Sequence, residues 1–275
     1  MSSRVSGGDD GAICCDVAPD FIGRWETPQD SLCVTFDSPI PRLVIYDPAC
    51  SFRPVDPPMQ LNADLSRPAS ADSAALAWVA SPMAGVERRM LERDGDEVAR
   101  ATSLVRYAPG SAFSPHTHGA GEEFLVLEGV FSDETGDFPA GFYVRNPPGS
   151  RHTPASAPGA VILVKLRQMP PAETEAVRLD TRDPALWRDL GQGRQEAVLF
   201  NAPWERVAML RLAPGHTGAA ETWPCGVELF VVEGDVVIDG TTHRAGAWLR
   251  LPPGSRLALE SQGGALLYRK TGHLG

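Results

Sequence analysis

No run of about eighteen apolar residues, the length that crosses a bilayer as a helix, occurs in the 275-residue chain, which argues against a membrane protein. Positive charge is scarce as well. Lys and Arg number 25 against 35 Asp and Glu, and the formal net charge of -10 disfavours a phosphate backbone, so no nucleic-acid partner is expected. The opening residues, MSSRVSGGDDGAICC, lack a basic start followed by an apolar stretch; no secretory leader is read there, and a cytoplasmic location is expected. Cysteine is confined to one end: Cys14, Cys15, Cys33 and Cys50 lie early and only Cys225 follows. An odd number without a regular framework argues against a disulfide scaffold. Histidine is absent before His116, and adjacent Cys14 and Cys15 lack the two-residue gap of a zinc knuckle, so the early cysteines are read as unpaired thiols.

Glycine (27) and proline (25) are plentiful, and turn dipeptides punctuate short apolar runs, which predicts an all-β chain. The length suits two domains of about 100 residues. Residues 1–58 are proline-rich and aperiodic, and read as a low-order extension. Composition changes abruptly at Met59, and one reading places the start of translation there.

From Met59 the chain repeats itself. Leu104 to Gly110 matches Met209 to Gly215, Glu123 to Gly129 matches Glu228 to Gly234, and Gly141 to Arg151 matches Gly246 to Arg256, each at an offset of 215 − 110 = 105 residues. Three blocks in one register predict two copies of one domain, at 59–175 and 176–275. In the first copy the apolar and alternating runs predict strands at 86–92, 98–107, 123–129, 141–145 and 160–167. The segment Pro184 to Leu190, with Asp183 able to cap, has helical character and is expected to connect the copies.

Chemistry concentrates in the first copy. His116 and His118, two apart in a strand, share a face and can grip one ion together. Glu122 opens the next strand, and His152 follows a Pro-Pro-Gly turn able to carry it back across the barrel. Imidazoles with one carboxylate suit Zn, Fe(II), Mn or Ni. The spacings Gly110, His116, His118, Glu122, Gly129 and then Gly141, Pro147, Gly149, His152 resemble the two motifs of the cupin superfamily, with Ser156 where the second motif ends in Asn. Within it, the stretch His116-Thr117-His118-Gly119 through Glu134, with Gly136 to Gly141 and Arg145 to Ser150, is similar to the ChrR-like cupins.

That resemblance implies two tandem double-stranded β-helix barrels, with one divalent metal ion held in the first by His116, His118, Glu122 and His152. Glu123 is the competing carboxylate, since alternation lets only one of the two face inward. Glu128 and Tyr143 read as barrel-lining or rim residues before ligand-orienting ones. Adding 105 to the four ligands gives Glu221, Trp223, Val227 and Leu257, so the second barrel is expected to hold no metal by these positions. His216 and His243 are expected at the surface and His273 in a mobile tail. Two functions follow: a non-haem metal-dependent dioxygenase with a small-molecule ligand in the first barrel, or a zinc-binding regulatory or sensor protein. An anti-sigma activity like that of ChrR is not supported, because no His precedes His116 and the four early cysteines do not follow the ordered spacing of its N-terminal zinc domain. A homodimer through sheet edges is expected.

Overall fold

The computed structural model describes residues 58–274 and, before them, the backbone of three short strands, Ser6–Gly7, Ile13–Cys15 and Leu32–Val34, paired in that order as an antiparallel sheet. The extension expected at 1–58 otherwise lies outside the described residues. The described residues are β-structure with two single-turn 3-10 helices.

The first large sheet runs, in spatial order, Val177–Asp180, Phe142–Asn146, Glu122–Asp133, Ala160–Leu166, Arg100–Tyr107, Val86–Asp94 and Gln60–Leu61. Beyond a bulge between Val126 and Glu128, the far half of Glu122–Asp133 turns to pair with Gly136–Pro139 and Ala155–Ser156, folding the sheet towards a barrel. Gly129 makes the turn possible: its φ is +70°, and a side chain there would collide with the Gly159 carbonyl. Gly234 and Gly264 repeat the arrangement in the second barrel. There the sheet order is Trp187–Gly191, Arg194–Ala202, Glu205–Leu212, Ala265–Thr271, Val227–Ile238, Ala247–Leu251 and Ala69–Asp72.

The ends of those two sheets differ from the simple division of the chain at 175/176. Ala69–Asp72, ahead of the first barrel in sequence, pairs with Ala247–Leu251 of the second, whereas Val177–Asp180, ahead of the second, pairs with Phe142–Asn146 of the first. Each copy thus lends its leading arm to the other. The helical connector expected after Asp183 is only the turn Pro184–Leu186, capped by Asp183 through a 2.8 Å bond from the Ala185 amide. Trp187 then enters a strand, its indole donating to the Thr181 carbonyl at 2.8 Å while its backbone pairs opposite Ala197. Tertiary pairing overrides the local helical tendency.

The central strand of each barrel is buried on both faces. Phe124 and Val126 point into the first barrel with Phe131, Val144 and Ile162, whereas Leu125 belongs to a cluster shared with Met209, Phe230 and Trp248 of the second copy. Val227, Leu229 and Val231 likewise fill the second interior while Phe230 joins the shared cluster. The same alternation sends Glu123 and Glu228 into that shared layer, where neither can stay unpaired. Lys270 of the second copy pairs with Glu123, and Lys165 of the first meets Glu228 at 2.6 Å. Arg145 lies 2.5 Å from Glu205 across the layer, and Arg250 pairs back with Glu92. The partners of Glu123, Tyr143, Arg145 and Lys165 at the 105-residue offset are Glu228, Trp248, Arg250 and Lys270, so the network is nearly its own mirror.

Burial alone would raise the Glu123 carboxyl, but Lys270 and Arg145 overcome it and hold the group at about 2, below its ordinary 4.5. Its stabilising contribution is therefore complete above pH 4.5 and is lost as the pH falls towards 2. Breaking one pair strands a buried charge. Lys165→Met is expected to lower stability by about 3–5 kcal/mol in urea unfolding, and adding Glu228→Gln to recover part of that loss.

Candidate metal centre

The three motif histidines meet at one point because two short strands pair across the barrel. His116–Thr117 lies antiparallel to Arg151–His152, with His116 directly opposite His152. The Pro147 to Gly149 turn is clamped to His118: the His118 amide donates to the Ser150 carbonyl at 2.9 Å, and the Gly149 amide to the His118 carbonyl at 2.7 Å. The three rings then form a triangle with centroids 4.7–4.8 Å apart. One nitrogen from each lies within 4.8 Å of the others, a grouping able to hold a metal ion.

Glu122 reaches the triangle from the inward face of the central strand. Its Oε2 is 3.3 Å from His118 Nε2 and 3.6 Å from His152 Nε2. Glu123, one residue on, faces the layer between the barrels instead, where Tyr143 donates to it at 2.6 Å and Arg145 at 3.0 Å. Glu122 is thus beside the histidines and Glu123 is not. His118, His152 and Glu122 are buried, while His116 is exposed, leaving one side of the cluster open to solvent.

Two observations test whether this set fits a cation. The Nε2 atoms of both His118 and His152 are buried without a hydrogen-bond partner, a cost that an electron-pair acceptor between them would remove. Burial also pushes the His118 imidazole down, against the pull of Glu122, which favours the neutral ring that binds metal. The set fits.

Supporting groups come from positions that spacing alone did not single out. Asp133, beyond the bulge, accepts from His152 Nδ1 at 3.3 Å and so turns Nε2 towards the cluster. Burial alone would lower His152 and raise Asp133, but their shared bond and the Glu122 charge raise His152, while the same bond and those from Thr135 hold Asp133 at about 2. Asn146 donates to Glu122 at 3.1 Å and accepts from Arg178 at 2.6 Å. Arg178 sits on the arm lent by the second copy, so that arm braces the site through two bonds. Glu128 is exposed and Tyr143 faces the inter-barrel layer; neither touches the histidines.

The second barrel keeps the geometry and loses the chemistry. Glu221 pairs opposite Leu257 as His116 does opposite His152, with Trp223 and Val227 at the other two positions. Leu257 and Val227 join the apolar interior. Two histidines depart from expectation. His216 is buried, with Nδ1 2.9 Å from the Gln192 carbonyl, because its strand folds inward to pair with Glu260–Ser261. His273 is not in a free tail: it lies 3.0 Å from Glu228, and burial lowers it to about 4. His243 is half-buried.

Residues 66–170 match the family of ChrR cupin-like domains. Over those residues the chain is similar to the ChrR cupin-like domains, and its fold is that of the cupins. Among curated proteins, none matches this chain in sequence. Solved structures share its fold. A protein of Nostoc punctiforme provisionally named a dioxygenase is 17% identical, with a TM-score of 0.63, 74% of this chain and 82% of that one covered. Salicylate 1,2-dioxygenase of Pseudoaminobacter salicylatoxidans, in adducts with gentisate, is 14% identical at a TM-score of 0.56, covering 79% and 84%. The pirin YhhW of Escherichia coli in complex with nickel(II) is 14% identical at 0.54, covering 74% and 98%. No helix among the described residues is long and apolar enough to cross a membrane.

Asp133→Ala removes the acceptor that raises His152, so the His152 pKa of the metal-free protein is expected to fall, read from the pH titration of its imidazole NMR signals.

Proposed function

We propose that the first barrel holds one divalent metal ion on His116, His118, His152 and Glu122, and that the protein is a metal-dependent dioxygenase of a small organic molecule. The observation that carries the reading is the convergence of two buried, unpartnered imidazole nitrogens on one carboxylate oxygen, beside a third histidine open to solvent. Iron(II), manganese or nickel bound there would supply a Lewis-acidic, redox-capable centre with positions open to substrate and oxygen. The chain's own residues do the rest: Asp133 aims His152, Asn146 aims Glu122, and the apolar interior built on Phe124, Phe131 and Val144 keeps water from the back of the site. The dioxygenases among proteins of this fold support the class, and the aromatic hydroxy acid bound to one of them suggests where to begin with substrates.

A second reading rests on the match to ChrR cupin-like domains. With zinc in the same ligands, the barrel would act as a regulatory or sensing module without catalysis. In either case the layer between the barrels already supplies, within one chain, the packing that a pair of single barrels would share. A homodimer would therefore use other surfaces.

The deciding experiment is elemental analysis of full-length protein purified without an immobilised-metal column, beside a His116→Ala/His152→Ala variant. About one Fe, Mn or Ni per chain, absent from the variant, is the outcome expected, followed by oxygen uptake with hydroxybenzoates or small diketones. One Zn per chain, absent from the variant, would favour the sensor. Equal metal in both proteins would overturn the ligand set.

A further inference from the structure

A cleft of about 490 Å³ is lined by residues of both barrels and by none of the cluster histidines. Pockets of this size and at such junctions accommodate small organic ligands. Among its lining residues are half-buried Leu127 of the first barrel and Val232 of the second, with Leu104 and Phe230 buried behind them. One wall is a half-buried indole, Trp78, with the guanidinium carbons of Arg89 and Arg106 lying 4.5 and 4.4 Å from its ring centre.

The two arginines are not equivalent. Arg106 is paired with Glu87 at 2.5 Å. Arg89 has no carboxylate or other acceptor among the described residues, and its Nε is buried without a partner. A guanidinium tethered to an indole and partly withdrawn from water, with donors unspent, is a ready receptor for a carboxylate or sulfonate. Elsewhere between the barrels the buried cations find partners within the chain, as Lys165, Lys270, Arg145 and Arg250 do; Arg89, which lines the cleft, finds none among the described residues. Exposed Glu128 and Glu233 also line the cleft and disfavour a second negative charge on an occupant.

We infer that this cleft is a second small-molecule site, which takes a monoanionic organic ligand with an aromatic or similarly apolar body, its acid group on Arg89 and its body over Leu127 and Val232. Because residues of both barrels line it, occupancy would tie the two copies together.

The probe is 8-anilinonaphthalene-1-sulfonate, titrated into the full-length protein and followed by its fluorescence. One saturable site per chain is expected. Arg89→Met, which keeps the packing on Trp78 and removes the charged donors, is expected to weaken binding about tenfold or more, the scale of a charge-assisted hydrogen bond. Leu127→Trp, which fills the cleft, should do the same, and His116→Ala/His152→Ala should leave binding unchanged. In the unmutated protein, the Trp78 indole N–H signal, assigned with Trp78→Phe, should shift during the titration, a readout independent of how the variants fold. Absence of a saturable site, undiminished affinity in folded Arg89→Met, an unmoved Trp78 signal, or loss of binding in the histidine variant would each overturn the inference.

Discussion

The structure depends on four buried cations placed between two sheets that both need to be dry. Lys165, Lys270, Arg145 and Arg250 carry essentially no exposed surface, and each finds a carboxylate on the opposite copy. Such pairs add little net stability over an apolar layer, because desolvation offsets most of the attraction. Their effect is on register. A sheet sliding by one residue would send Glu123 into the barrel and Glu122 into the interface, stranding charges on both sides. The interface therefore selects one alignment of the central strand, and with it the face on which Glu122 meets His118 and His152.

The lent arms reinforce that coupling. Val177–Asp180 closes the edge of the first sheet, and from it Arg178 reaches Asn146, which reaches Glu122. The candidate metal centre is thus braced by a segment that precedes the other barrel in sequence. This gives the second barrel a physical role even though Glu221, Trp223, Val227 and Leu257 occupy its ligand positions: it holds the first in shape.

Much of this was legible in the chain. The 105-residue repeat reappears as matched strand pairing, since Glu221 opposite Leu257 copies His116 opposite His152. Alternation announced that only one of Glu122 and Glu123 could face the histidines. What could not be read was anything depending on which chain segment lies across from which. Val177–Asp180 has the pattern of a strand, yet nothing in it names Phe142–Asn146 as its neighbour rather than an equivalent strand of its own copy. Asp133 was likewise hidden, because the bulge at Val126 and Glu128 and the turn at Gly129 decide which way its carboxylate points. His273, two residues past the end of the last strand and two before the final glycine, looks like tail until Glu228 is known to lie 3.0 Å from it.

The unequal fates of the two barrel interiors follow from the same physics. A metal cluster binds its histidines with unsatisfied nitrogens unless the ion is present, and losing the ion leaves buried polar atoms at a cost. Replacing His152 by Leu257 and Glu122 by Val227 at the equivalent positions removes that cost and adds apolar packing. No such exchange is open to Glu228, Arg250 or Lys270, because each faces a charge on the other copy, and a single replacement would leave that partner buried and alone. One barrel can shed its chemistry residue by residue; neither can shed its side of the interface without the other changing in step.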